Sequence, residues 1–407
     1  MEQGMDFTNR YSKSALRLKS SKIRELFKMA NAPGLISMAG GMPDSESFQF
    51  EEIKKIINSW NYDTAKVALQ YGTTRGYIPL LGEISKWMQQ RKMVSMEGQD
   101  VLITTGSQQA LALVSKLFLN PNDIVIVEIP SFIGAIAAFY SYMGRIEGVH
   151  LDSGGIIMEE LVRKIEEYRK RKLDVKCIYT IPNFNNPSGI TLAQDRRRKL
   201  IEVSKELGIP IVEDDPYGEL FFNGEEKDYR PIKSLDTAGN VIYLGTFSKV
   251  LSPGLRVGWI VAESLLIAKL ELQKQSFDAC TPTFSQLIAY EYMHRGYINT
   301  YIDKMRKIYR KKRDAMLEAL KRCMPEGVSW TEPKGGFFIW LTLPEQLDAE
   351  DVFKSAVEKK VAFVTGDAFL PEKYAKNFVR LCYSDLDPER IQRGIEILAD
   401  VIGRMIG

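Results

Sequence analysis

The sequence predicts an α/β fold: a large, doubly wound and mostly parallel sheet domain, followed by a smaller α+β domain. Two observations carry this. Short β-branched runs alternate with helix-length amphipathic stretches through most of the chain, the pattern of strands buried on both faces and joined by crossover helices. From about residue 296 the character changes to long charged helical segments around one aromatic run.

In chain order, residues 1–45 read as an arm that packs against the small domain and the substrate pocket, with an amphipathic helix in "SSKIRELFKMA" ahead of "GLISMAGGMPD". Residues 46–295 form the large domain. Its strands are "DVLITT" (100–105), "DIVIVEIP" (123–130), "VKCIYTIP" (175–182), "GIPIVEDD" (208–215), "NVIYLGT" (240–246) and "RVGWIVA" (256–262). Helical spacing fills the intervals, as in "SQQALALVSKLFL" and "AQDRRRKLIEVSKEL". Residues 296–407 give the small domain, with "TYIDKMRKIYRKKRDAMLEALKRCM", then "KGGFFIWLTL", then a closing helix in "ERIQRGIEILADVIGRMI".

Composition excludes several classes. With 45% apolar and 26% charged residues the chain reads as globular, and a net charge of +3 is too small to imply nucleic acid. The start lacks a signal-peptide core, and the longest uncharged run, Ile129 to Gly144, is too short for a membrane span and contains Pro130. A cytoplasmic protein with no membrane partner is expected. Cys177, Cys280, Cys323 and Cys382 form no CxxC pair and read as buried thiols. Only His150 and His294 are available, so no metal site is expected, and both read as structural. "LDSGG" at 151–155 reads as a turn.

Open parallel sheets bind ligands at the carboxyl ends of their strands, and the unusual residues fall there. Gly106 and Ser107 open a helix whose amides suit a phosphate; alone, Ser107 reads as an N-cap. Asn185 and Asn186 precede Pro187, and three acids, Glu213 to Asp215, end an apolar run. Each reads singly as a turn or a solvated loop. Lys249, which alone would be a solvated charge, and Arg256 complete the rim. A phosphate-suited helix start, a carboxylate, a tyrosine, a lysine and an arginine are the parts a pyridoxal phosphate enzyme needs.

The ordered motifs "LISMAGGMPD", "LQYGTTRGY", "ITTGSQQAL", "NNPSG", "VEDDPYGEL", "GTFSKVLSPGLRVGW", "KGGFFIW" and "FVRLCYS" span nearly the whole chain. Through them it resembles the fold-type I pyridoxal phosphate aminotransferases of class I/II, in the branch of 2-aminoadipate, kynurenine and archaeal aromatic aminotransferases. The resemblance implies pyridoxal 5'-phosphate as cofactor and ping-pong transfer between an L-amino acid (aromatic, large aliphatic or 2-aminoadipate) and a 2-oxo acid, 2-oxoglutarate foremost.

It also implies roles. Lys249 would be the Schiff-base lysine and proton shuttle, Asp214 the partner of the ring nitrogen with Asp215 supporting it, and Asn186 and Tyr217 the donors to the ring oxygen. Gly106, Ser107, Gln108, Thr246, Ser248 and Arg256 would form the phosphate cup, reached by Tyr71 of a second subunit in a homodimer with shared sites. Arg380 would hold the substrate α-carboxylate beside Gly41, and Arg24 would reach a distal carboxylate. Phe132 stands where relatives carry a ring-stacking tyrosine, so a hydrogen bond from that hydroxyl is not expected here.

Three other functions share part of this pattern. A lyase or decarboxylase on the same fold shares the cofactor parts. An aminotransferase-like transcriptional regulator would need a DNA-binding head, and the first 30 or so residues carry no helix-turn-helix pattern. A dinucleotide-dependent dehydrogenase would need a G-x-G-x-x-G after an early strand, which is missing.

Overall fold

A computed structural model of the protein describes residues 7–17, 34–370 and 376–406. Strand β1 (Ile36–Ser37) belongs to the N-terminal segment. The large sheet contains β2 (Gln99–Thr104), β3 (Ile124–Ile129), β4 (Arg145–Asp152), β5 (Gly155–Ile156), β6 (Val175–Thr180), β7 (Ile211–Asp214), β8 (Val241–Thr246) and β9 (Gly258–Glu263). Their spatial order is β2-β9-β8-β7-β6-β3-β4-β5. Strands β4, β3, β6, β7 and β8 run parallel. Strand β9 is antiparallel to both β8 and β2. The connection from β8 to β9, residues 247–257, holds only a 3-10 turn at Pro253–Leu255. It is too short for a helical crossover, so the next strand must return antiparallel.

Every residue of β3 and β8 is buried, which is why these strands read as unbroken apolar runs. Strand β4, next to the two-residue edge strand β5, exposes Arg145, His150 and Asp152 and carries Glu147 and Gly148 among its buried residues; its mixed composition hid it from the sequence reading. Residues 153–154 turn tightly between β4 and β5, as expected of "LDSGG". Helices cover the sheet, among them Gly106–Phe118 and Gln194–Leu207. The latter stops at Gly208, whose φ of 66° is the left-handed value that ends a helix without a Cβ penalty.

The C-terminal part has β10 (Ser329–Trp330), β11 (Phe338–Thr342), β12 (Val361–Ala362), β13 (Val364–Thr365) and β14 (Phe378–Cys382). Strands β10, β11, β14 and β13 form an antiparallel sheet in that order. The long helix Tyr297–Cys323 and the final helix Pro388–Ile406 pack against each other and share one apolar core with this sheet. The final helix buries Ile391, Ile395, Leu398 and Ile402 on one face, a spacing of three to four residues that makes one apolar stripe. Strand β1 pairs in parallel with β12, drawing the segment after it alongside the C-terminal sheet.

The expectation that all four cysteines are buried needs correction. Cys177 and Cys382 are buried, whereas Cys280, in the turn before the helix Thr283–His294, and Cys323, the last residue of the helix Tyr297–Cys323, are partly exposed. Both histidines are exposed and pair with Glu160 and Glu83. Among the described residues no helix is long and apolar enough to cross a membrane.

Candidate active site

The three acids at the end of β7 are not a solvated loop. Glu213, Asp214 and Asp215 are all buried, and each has a different task. Glu213 accepts the backbone amides of Ile232 and Lys233 at 2.7 and 2.8 Å. Asp215 accepts from Asn183 (3.0 Å), Tyr243 (3.1 Å) and Lys92 (3.4 Å). Lys92 is shared with Glu219 at 2.8 Å. Burial alone would raise the Glu219 carboxyl, but Lys92 and Arg91 hold it down at about 2.

Asp214 differs from both. Its Oδ2 accepts the Tyr179 hydroxyl at 2.9 Å, while its buried Oδ1 has no partner among the described residues. Burial, with the neighbouring Asp215 charge adding to it, pushes the Asp214 carboxyl up to about 7 against the Tyr179 hydrogen bond. A buried carboxylate oxygen without a donor is costly, and a cationic ring N–H is the group that would satisfy it.

Lys249 lies on the turn after β8 and donates from Nζ to the Gly41 carbonyl at 2.8 Å. Burial, together with the Arg256 and Arg380 charges, brings its ammonium down to about 8. Arg380, on β14, is 2% exposed. Its Nη2 donates to the carbonyls of Ala39 and Gly40, both at 2.6 Å, and its Nη1 to Asn186 Oδ1 at 3.1 Å. The rings of Phe338 and Phe369 flank the guanidinium at 4.4 and 4.8 Å. Its Nε has no partner among the described residues, and burial lowers its pKa to about 10. Among the described residues Arg380 makes no ion pair. Tyr217 is buried beside Asn186; burial raises its phenol, against the Arg380 charge and a hydrogen bond with Asn186.

At the other end, the helix Gly106–Phe118 starts without a side-chain cap. Ser107 is therefore the second helical residue and not the N-cap. Arg256 passes directly over the helix start: a Cβ on Gly106 would lie 2.3 Å from its Nη2, and Gly106 has φ of 73°. Thr246 Oγ1 and Ser248 Oγ are 3.0 Å apart, and Arg256 Nη1 reaches Ser248 Oγ at 3.5 Å. The exposed Gln108 donates to the Gly134 carbonyl at 2.8 Å, next to the half-buried Phe132 ring. Uncapped amides, hydroxyls and a guanidinium with no ion pair among the described residues make an anion cradle.

A family model, "Aminotransferase class I and II", matches residues 35–398. The chain belongs to the class I and II aminotransferases. This aminotransferase is 45% identical to aromatic-amino-acid aminotransferase 1 of Thermococcus litoralis over 98% of its own length and 95% of that relative's. A Pyrococcus horikoshii kynurenine aminotransferase, solved with PMP, superposes with a TM-score of 0.95 at 44% identity, covering 99% of both chains. The α-aminoadipate aminotransferase of Thermus thermophilus, complexed with N-(5'-phosphopyridoxyl)-L-leucine, gives a TM-score of 0.89 at 38% identity, again over 99% of both chains.

The aminotransferase is pyridoxal 5'-phosphate-dependent, and its own residues fit the cofactor. Asp214 Oδ1, without a partner among the described residues, is open to a ring N–H, and the Gly106–Arg256 cradle leaves room where a side chain would intrude. Of the expected site residues, Lys249, Gly41, Arg380, Asn186 and Tyr217 come together at one end, and Gly106, Thr246, Ser248 and Arg256 at the other. Tyr71 does not join them; it is 84% exposed. Arg24 lies outside the described residues.

Two residues escaped the sequence reading. Tyr179 fixes Asp214, and Glu128 holds Thr180, Ile181 and Asn185. Glu128 interrupts the apolar run "IVIVEIP", and a lone acid inside a buried strand was the available signal.

Proposed function

We propose that this aminotransferase moves an amino group between an L-amino acid with an aromatic, large aliphatic or 2-aminoadipate side chain and a 2-oxo acid, foremost 2-oxoglutarate. The observation that carries the reading is Arg380, a buried guanidinium with no described carboxylate partner, two phenylalanine rings on its faces and its Nε unpaired. An α-carboxylate supplies the missing counter-charge in planar geometry, and the relatives' substrates supply the side-chain classes.

When bound, pyridoxal 5'-phosphate supplies the carbonyl that takes up the amino group and an electron-withdrawing ring. Asp214 would hold the ring nitrogen, Asn186 and Tyr217 the ring oxygen, and Phe132 one ring face. Gly106, Ser107, Gln108, Thr246, Ser248 and Arg256 would hold the phosphate. Lys249, with its pKa lowered to about 8, carries enough neutral amine near neutral pH to take a proton from the substrate Cα and return it. Gly41 marks the pocket wall beside Arg380, where a Cβ would touch Phe338 at 3.2 Å.

The assembly in this reading is a homodimer. Tyr62, Leu69, Tyr71 and Ile78 are between 74% and 84% exposed around one groove, an apolar face that a second copy would cover while Tyr71 reaches its phosphate. The arm (1–45), large domain (46–295) and small domain (296–407) are the proposed units. Arg24 would meet the distal carboxylate of acidic substrates.

The test is a panel of amino donors with 2-oxoglutarate and with pyruvate. Aromatic and 2-aminoadipate donors should transfer to 2-oxoglutarate. Arg24→Ala should depress acidic substrates by about 30-fold while sparing phenylalanine, from the ~2–5 kcal/mol cost of an unpaired buried carboxylate. Transfer confined to pyruvate, or equal losses for acidic and apolar donors, would refute the substrate assignment.

A further inference from the structure

Glu128 is the penultimate residue of β3, the strand between β4 and β6, and is 2% exposed. A carboxyl group there is expensive unless its lone pairs are used. Three donors use them, all from one stretch of chain. Thr180 Oγ1 donates to Oε1 at 2.5 Å; the Ile181 amide and Asn185 Nδ2 donate to Oε2 at 3.0 and 2.7 Å. No lysine, arginine or histidine among the described residues pairs with it.

Asn185 has no freedom left. Its Nδ2 is held by Glu128, its Oδ1 accepts both the amide (3.1 Å) and hydroxyl (2.9 Å) of Ser188, and its backbone bonds to Ile190 and Gly189. The loop that carries Asn186 is therefore moored on a strand that is itself in the middle of the sheet. Asn186 in turn faces Arg380 and Tyr217.

We infer that Glu128 is a positioning residue: by clamping Thr180, Ile181 and Asn185 it sets the orientation of Asn186, and through it the holding of both the cofactor ring oxygen and the Arg380 guanidinium. This rests on the proposed roles of Asn186 and Arg380. The clamp works by hydrogen-bond direction and needs no charge. With Oε1 protonated, Glu128 donates to Thr180 Oγ1 while Oε2 still accepts from Ile181 and Asn185. Burial, which raises this carboxyl to about 7, favours that form. A glutamine can copy it, its Nε2 taking the place of the protonated oxygen. A methionine fills the space but leaves the Ile181 and Asn185 donors with nothing to meet.

The experiment compares Glu128→Gln, Glu128→Met and Asn185→Ala with Asn186→Ala as reference, in cofactor-loaded protein. Two readouts are taken: the pH midpoint of the bound cofactor's absorbance change, which reports the hydrogen bond to its ring oxygen, and KM against kcat for the amino donor. Asn186→Ala and Glu128→Met should both move the midpoint upward, by about one unit for a lost bond worth ~1.4 kcal/mol, and raise KM about tenfold. Glu128→Gln should leave both near wild type. If Asn186→Ala leaves the midpoint unmoved, the ring-oxygen assignment fails. If Asn186→Ala moves it but Glu128→Met, folded, does not, the clamp fails. If Glu128→Met does not fold, Asn185→Ala decides: it should shift both readouts in the same direction, and an unchanged Asn185→Ala overturns the inference. A Glu128→Gln protein that behaves like the methionine variant overturns it as well.

Discussion

Asp214→Asn is the substitution whose cost the structure defines best. Burial carries this carboxyl from 3.8 to about 7 in the cofactor-free protein. Three units correspond to about 4 kcal/mol by which the ionised form is disfavoured. At neutral pH such a carboxyl is about half protonated, so a cationic ring nitrogen against the empty Oδ1 needs to supply only about 1.4 kcal/mol to leave it some nine-tenths ionised; breaking such a buried pair costs ~3–5 kcal/mol. Asp214→Asn should therefore lower kcat/KM by about 10²- to 10⁴-fold. Asp215→Asn should cost activity far less. It leaves the ring nitrogen's partner in place and weakens instead the Lys92, Tyr243 and Asn183 contacts, with an expected stability loss of about 1–3 kcal/mol. Steady-state kinetics with saturating cofactor, beside thermal denaturation, separates the two. Equal catalytic losses, or a greater loss for Asp215→Asn, would refute the reasoning. The pH dependence adds an independent check. A folded pKa of about 7 lies above the unfolded value near 3.9, so the folded protein holds this proton between them and loses stability as pH rises through 7. Without cofactor, the Tm of Asp214→Asn should gain on wild type between pH 5 and pH 8; a gap that stays constant would show that Asp214 is not perturbed.

Lys249→Ala should bring turnover to background while leaving the Tm of the cofactor-free protein within a few degrees of wild type, since its amine makes a single hydrogen bond to Gly41; residual turnover without added amines would remove Lys249 from the chemistry. Gly106→Ala should weaken cofactor binding by about tenfold or more, because the new methyl would lie 2.3 Å from Arg256 Nη2 at a backbone φ of 73°; fluorescence titration with pyridoxal 5'-phosphate measures it. Mixing inactive Lys249→Ala chains with inactive Tyr71→Phe chains should restore activity in heterodimers, one of whose two sites is intact; a fully active monomer would exclude the shared site.

The sheet was legible because its central strands are buried on both faces and so are continuous apolar runs in the sequence. The site was legible for a related reason: Gly106, Asp214 and Lys249 each follow such a run closely, where a parallel sheet gathers loops at one edge. What escaped lacks that property. Strand β4 lies near the sheet edge and mixes polar with apolar residues. The reversal of β9 depends on the absence of a helix between residues 247 and 257, a fact about loop length that apolar periodicity does not register. Glu128 and Tyr179 act through partners from other strands, 52 and 35 residues away, so their significance appears only once the strands are adjacent. The acidic run at 213–215 reads in sequence as a solvated loop, yet burial divides it among two structural anchors and one carboxylate with an open side.

Ala39, Gly40 and Gly41 offer three successive carbonyls, the first two to Arg380 and the third to Lys249. Neutral dipoles thus steady two cationic side chains without cancelling their charge, on a protein whose overall charge is only +3. The guanidinium of Arg380 therefore keeps its positive charge for an incoming anion. Encounter with an anionic 2-oxo acid is then guided by a local field, so its rate of capture falls as added salt shortens the screening length. The same short strap that shapes the pocket also leaves its cationic side chains charged for that encounter.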